Sequence, residues 1–240
     1  MDFQLKTAAK IQSLFRPKLD DIGNGSRVWA TSIPAGIVGG DLYDVIPLKD
    51  GSRLIYVADV SGKELPAALI MSALWTHIRS EIYFHNNLEE LLRCVNEDLY
   101  ALLSDEGYFA TILIGKYWPD SGKMALSRAG HPAPLWISDG NLKTALHANG
   151  VSLGVVKDAR YTTETLLLSP GDSMVFVTDG FTEAFSESGK LFGHKQITDL
   201  IGASTGPPWG KDLLEAVRKW RKSGGMGDDL TILEIWRKTA

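Results

Sequence analysis

Two apolar runs in this chain each end on an aspartate followed by a tight turn, LIYVAD at Leu54–Asp59 and MVFVTD at Met174–Asp179. Two further acidic clusters accompany them, GGDLYD at Gly39–Asp44 and GDDLT at Gly227–Thr231. A carboxylate at the end of a buried strand sits at the rim of a core, where an unpaired negative charge is costly. Four such groups, far apart in sequence, repel one another if the fold gathers them. Two divalent cations neutralise four aspartates charge for charge, and an all-oxygen ligand set suits Mg²⁺ or Mn²⁺. The pattern points to a two-metal site. Taken singly, an aspartate at a strand end is more often a turn residue or a helix cap, so the weight rests on their joint occurrence.

The elements that would position these groups can be read from periodicity. Leu5–Phe15 carries one apolar stripe on a short helix closed by Pro17. Strands are expected at Arg27–Ile33, Leu42–Leu48 and Arg53–Asp59, the last two joined as a hairpin through Lys49-Asp50-Gly51. Leu65–Tyr83 reads as a helix apolar on most sides, of the kind usually sandwiched between other elements. Leu88–Leu103 shows a clean helical face. Shorter β runs follow at Phe109–Tyr117, Lys123–Ala129, Leu135–Ser138, Tyr161–Leu168 and Ser173–Thr178. Helices near His194–Gly202 and Lys211–Lys222 and a last strand, Leu230–Trp236, complete the chain. Strands joined by short turns, with helices segregated in pairs, make an α+β fold: two stacked, mostly antiparallel sheets flanked by pairs of helices.

Composition narrows the function classes. At 240 residues and 44% hydrophobic, the chain has the material for one large core. A net charge of −4 and no basic, aromatic-interleaved stretch argue against a nucleic-acid surface. The single cysteine, Cys94, permits no internal disulfide and reads as a small core or half-buried residue. His77, His85, His147 and His194 show no ligand spacing relative to one another. The first residues lack the apolar core and cleavage site of a secretory signal, and the Leu65–Trp75 segment is too short to span a bilayer. A cytoplasmic protein without membrane insertion is expected.

The order of short motifs is more specific than any one of them. VGGDLYD (Val38–Asp44), VADVSGKELPAALIM (Val57–Met71), FATILIG (Phe109–Gly115), AGHPAPL (Ala129–Leu135), GVSLGV (Gly150–Val155), VTDGFTEA (Val177–Ala184) and GDDLTILEI (Gly227–Ile235) follow one another. This series resembles the PPM family of metal-dependent Ser/Thr protein phosphatases, in the bacterial branch of SpoIIE and RsbU, from about Ala8 to Trp236. The resemblance implies a four-layer α/β/β/α sandwich, with residues 1–20 as a linker-like helix and 21–240 as the phosphatase domain. It implies two, or three, Mn²⁺ or Mg²⁺ ions. Asp59 would bridge both metals, with the backbone carbonyl of Val60 completing one sphere. Asp41 would hold the second metal, largely through water, and Asp179 and Asp228 the first. Asp229 falls where relatives carry Asn or Asp and is the weaker candidate of that pair. The implied chemistry is direct hydrolysis of phosphoserine or phosphothreonine by a metal-activated water. The implied substrate is a phosphorylated anti-anti-sigma (STAS-type) regulator.

Several positions depart from the family pattern. Glu64 stands where most relatives carry a second glycine after the DxSG turn, so a φ > 0 there would cost about 1 kcal/mol; its carboxylate is also an outer-shell candidate. Gly36 occupies a spot that is often charged or polar, which leaves the phosphate-binding cation unassigned. Lys63 reads as a solvated loop residue, Asp44 as a polar strand or turn residue, and His131 as turn-stabilising rather than a general acid. The first helix resembles the junction to an upstream sensor or receiver domain. Its stripe fits equally a plain docking helix, a regulatory partner or a homodimer contact. Beside the phosphatase stand two other classes: a catalytically weak module that binds a partner without turnover, and another two-metal phosphoesterase such as a nuclease.

Overall fold

A computed structural model of the chain describes residues 2–17, 19, 22–23, 25–143, 146–204, 206–221 and 227–239. The hairpin read from Lys49-Asp50-Gly51 joins β2 (Leu42–Pro47) to β3 (Arg53–Val60), in the register Leu42↔Ala58 to Pro47↔Arg53. Gly51 takes φ 81°, and the Asp50 carboxylate accepts the Ser52 N–H at 3.1 Å, so the turn is fixed by its own residues. Next to β3 lie β4 (Ala110–Trp118), β5 (Lys123–Ala129) and β8 (Thr163–Leu167), giving the order β2-β3-β4-β5-β8. A second sheet runs β1 (Ser26–Ile33), β10 (Leu230–Arg237), β9 (Ser173–Val177), β6 (Leu135–Ser138) and the two-residue β7 (Asn141–Leu142). Every pairing is antiparallel.

Three cores account for four layers. Leu54, Tyr56 and Ile112 from one sheet pack on α2 (Glu64–Glu81) and α3 (Leu88–Leu103). Ile55, Val57 and Leu113, on the other face of the same strands, meet Phe176, Leu233 and Ile235 between the sheets. Val175, Val177 and Ile232 then pack on α5 (His194–Ala203) and α6 (Trp209–Arg221). Strands covered on both faces need apolar residues at successive positions, which is why β3 and β9 read as unbroken hydrophobic runs.

The differences from expectation have local causes. Although α2 buries Ala67, Met71, Leu74 and Ile78, its Leu69 remains 64% exposed, so this helix is covered on one side rather than sandwiched. At the chain start, α1 (Asp2–Gln12) is followed by a 3₁₀ turn at Ser13–Phe15 in place of one helix over Leu5–Phe15. Its stripe is only partly covered: Ile11 and Leu14 are exposed, while the Phe15 ring packs 4.8 Å from Trp75. Two elements escaped periodicity, β7 and the single turn α4 (Asp179–Thr182). Helix α6 starts two residues earlier than expected because the buried Glu234 carboxylate accepts the Gly210 N–H at 2.7 Å, a cap donated from another element. The expected end of that helix, Lys222, lies outside the described residues.

Candidate metal centre

Strand register brings the acidic motifs to one end of the sandwich. The pairing Leu42↔Ala58 sets Asp41 beside the end of β3, which carries Asp59 opposite Thr111 of β4. In the other sheet Val177 pairs with Ile232 and the Thr178 N–H donates to Thr231 O at 3.1 Å. The end of β9 and the start of β10 therefore lie together, with Asp179 just past one and Asp228-Asp229 just before the other. Glycines permit the close approaches. A Cβ on Gly40 would stand 2.7 Å from Val60 O, and one on Gly180 would collide with the Asp229 carbonyl.

The aspartates divide into distinct environments. Asp41 is only 8% exposed and accepts the Thr178 hydroxyl at 2.9 Å. Burial, then the Asp59 and Asp229 charges, holds its carboxyl well above the usual range. Asp59 lies within hydrogen-bonding reach of Asp41 and is pushed up to about 7 by burial, then by Asp179, Asp228 and Asp229. Asp179 is raised by burial first and by Asp228 next. In each case burial is the larger cause and the neighbouring carboxylate charges add to it. Among the described residues, no Lys or Arg forms an ion pair with Asp41, Asp59, Asp179 or Asp228. A hard divalent cation supplies the missing positive charge, and the donors on offer, carboxylate oxygens and the Val60 carbonyl, are of the kind it takes. The residues present fit such an ion.

Asp229 does different work from Asp228. Its carboxylate accepts N–H groups of Ala35 at 2.7 Å, Gly40 at 2.9 Å and Asp41 at 3.3 Å, and a Cβ on Gly39 would strike it. Asp228 is exposed and lines a cleft of about 200 Å³ with Gly36, Asp59, Lys63 and Glu64. The two neighbours thus face different surroundings, Asp228 the cleft and Asp229 the backbone of the Ala35–Asp41 segment.

The remaining sequence expectations resolve individually. Glu64 adopts φ 58°, the strained left-handed region expected of a glycine position, and its side chain faces the cleft. Lys63 Nζ donates to Gly227 O at 2.8 Å, tying the Asp59 loop to the Asp228 loop. Asp44 is a strand residue as expected, but a fully buried one in a bidentate pair with Arg79, at 2.6 and 2.9 Å. His131 is 1% exposed; its Nε2–H donates to Val177 O at 3.0 Å and Nδ1 accepts the Thr111 hydroxyl at 2.8 Å. It bridges the sheets and has no free nitrogen for substrate.

Two residues escaped the sequence reading. Arg221 donates to Gly180 O at 2.6 Å and to Asp228 O at 3.1 Å, so one guanidinium holds both the loop after Asp179 and the loop of Asp228. Only its place at the basic end of an amphipathic helix marked it. Gln12 on α1 grips the Gly39 peptide from both sides, Nε2 to Gly39 O at 2.7 Å and Gly39 N–H to Oε1 at 3.2 Å. Nothing in its spacing announced that contact.

Comparison with known proteins places this geometry. Protein IcfG of Synechocystis sp. is 22% identical over 265 aligned residues, covering 98% of this chain and 41% of its own length. Phosphoserine phosphatase RsbU of Bacillus subtilis is 32% identical over 219 residues, covering 88% of this chain and 63% of its own. The chain thus spans less than two thirds of either curated relative. The solved SiaA-PP2C domain of Pseudomonas aeruginosa superposes with a TM-score of 0.84 at 22% identity, covering 99% of this chain and 97% of that one, a likeness of fold. The family model described as Stage II sporulation protein E (SpoIIE) matches residues 49–238, which include β3, β9 and β10 with Asp59, Asp179 and Asp228, and the chain belongs to the SpoIIE family.

Proposed function

We propose that this chain is a metal-dependent serine/threonine protein phosphatase that hydrolyses phosphoserine or phosphothreonine directly. The observation that carries this reading is the convergence of Asp41, Asp59, Asp179 and Asp228, none of which forms an ion pair with a Lys or Arg among the described residues. Asp59, Asp179 and Asp228, with the Val60 carbonyl, would hold one Mn²⁺ or Mg²⁺ ion, and Asp59 and Asp41 would serve a second. When bound, such a pair brings the pKa of a shared water toward neutrality and clamps phosphoryl oxygens for in-line attack. The protein's own contribution is rigidity: Asp229 fixes the Gly39–Asp41 loop, and Arg221 and Lys63 fix the loops that carry Asp179 and Asp228. No side-chain nucleophile is needed, and His131 keeps a structural role.

The similarity to RsbU supports a phosphorylated anti-anti-sigma (STAS-type) protein as substrate in the cytoplasm. Residues 21–240 form the catalytic domain and residues 1–20 the connecting helix. Exposed Ile11 on α1 and Leu14 in the 3₁₀ turn after it support an upstream sensor, a regulatory partner or a second copy as their occupant; a species that stays monomeric at high concentration removes the last. No helix among the described residues is long and apolar enough to cross a membrane.

The test is phosphate release from a phosphoserine protein with Mn²⁺, with chelator, and with Asp179→Asn. Turnover is expected to need the metal and to fall about 100-fold or more in the variant, since even outer-shell partners of metal ligands cost 10–100-fold. Binding of the phosphoprotein without turnover would favour a recognition module instead, and a phosphorylated protein residue trapped during turnover would exclude direct hydrolysis.

A further inference from the structure

A second cluster of ligand-type side chains lies between α2 and α3, away from the cleft. His77 and Glu81 sit one turn apart on α2, His85 follows its end, and Cys94 and Asp98 sit one turn apart on α3. Residues four apart share a helix face, so the two packed helices turn these pairs toward each other. Glu64, at the cleft, is 13 residues before His77 on the same helix, about 20 Å along its axis. The histidines are silent when compared only with one another; their partners are a cysteine and an aspartate on the neighbouring helix.

The ligand atoms of His77, Cys94 and Asp98 all lie within 4.8 Å of one another, as do those of Glu81, His85 and Cys94. The two sets differ in how well they are already satisfied. His85 Nε2 has Glu81 Oε2 at 3.2 Å, and Cys94 Sγ has the same oxygen at 3.6 Å. His77 Nε2 is buried and makes no hydrogen bond, although Asp98 Oδ2 is 3.0 Å away. The His77 nitrogen and the Asp98 oxygen are thus as close as two ligands of one ion. In a tetrahedral site with bonds of 2.0–2.1 Å, neighbouring donor atoms stand about 3.3 Å apart.

We propose that His77, Cys94 and Asp98 form a site for a divalent transition metal of borderline softness, Zn²⁺ above all, distinct from the oxygen-lined cleft. A mixed S, N and O set selects such an ion over Mg²⁺. Without a metal, burial and then Glu81 push the Cys94 thiol up, and a divalent cation reverses that balance by holding the thiolate. Glu81 and His85 flank the sulfur and form the outer shell.

The test uses the whole chain, stripped with chelator and returned to excess Mg²⁺, with Co²⁺ and Zn²⁺ as probes. One equivalent of Co²⁺ should give thiolate-to-metal charge-transfer absorption, and Zn²⁺ should displace it. Cys94→Ser should abolish that absorption, and His77→Ala should weaken binding at least tenfold. Asp179→Asn should leave it within about twofold, and His85→Ala should weaken binding less than His77→Ala does. Circular dichroism and melting of each variant report folding, and the wild-type spectrum alone tests sulfur ligation whatever the variants do. Co²⁺ bound without a thiolate band, unchanged Zn²⁺ affinity in Cys94→Ser, or a loss in His85→Ala that His77→Ala does not share would each overturn the assignment. Because the readout is spectroscopic, failure here is separable from failure of the phosphatase reading.

Discussion

His131 illustrates how a residue attractive for catalysis becomes architecture. Burial drives its imidazole down to about 3, so it stays neutral in the folded state. A neutral ring has one donor and one acceptor, and both are used, across the two sheets. In the unfolded chain the ring titrates near its ordinary value, so only that state takes up a proton as pH falls through about 6.5. Stability from this residue is therefore complete above pH 6.5 and declines toward pH 3, by about 1.4 kcal/mol per pH unit. Denaturant titrations of wild type and His131→Gln at several pH values should show their difference shrinking with that slope. The motif around His131 was visible in the sequence, but its role was set by Val177, 46 residues away.

Between elements, the outcome turns on pairs that no spacing rule connects. Asp44 on β2 and Arg79 on α2 form a bidentate pair on a fully buried carboxylate, and the same guanidinium lies 4.5 Å from the Trp75 ring centre. Removing one partner strands a charge in the core. Arg79→Ala should cost about 3–5 kcal/mol in denaturant unfolding, and adding Asp44→Leu should recover a large part of that loss. Glu64, the first residue of α2, is the converse case, since its strain was legible from the departure at that position. Glu64→Gly relieves the left-handed backbone and should stabilise the fold by about 1 kcal/mol, a rise of roughly 2–4 °C in melting temperature for a chain of this size. If phosphate release survives the change, the Glu64 carboxylate takes no part in the reaction. The existence of every helix longer than one turn was legible, because buried faces impose their period. Helix ends and outer faces were less so: α6 is capped by Glu234 from another strand, and nothing in α2's composition separates exposed Leu69 from buried Leu74.

At the scale of the molecule, the candidate site joins the two sheets. The clamp at Asp229 spans 194 residues to Ala35 and 189 to Gly40. Asp229→Ala leaves those N–H groups without their acceptor, at about 1–3 kcal/mol for each that stays dry. The variant should melt several degrees lower and bind Mn²⁺ more weakly by calorimetry. A metal affinity equal to that of wild type would show that the Gly39–Asp41 loop holds its shape unaided. The layered arrangement was legible because strands joined by short turns and helices segregated in pairs point to stacked antiparallel sheets with outer helices, while Arg221 and Gln12 were not, since each acts on backbone atoms that composition does not mark.

The placement of β10 bears on how the chain is made. The last of these ten strands to be synthesised is an inner one, zipped between β1 and β9, and it brings the Asp228-Asp229 turn with it. Until it is released, β1 and β9 present open edges, the kind of surface that recruits wrong neighbours. The acidic cluster is thus complete only once β10 has docked, and the sheet is most open to wrong pairing in the interval before it does.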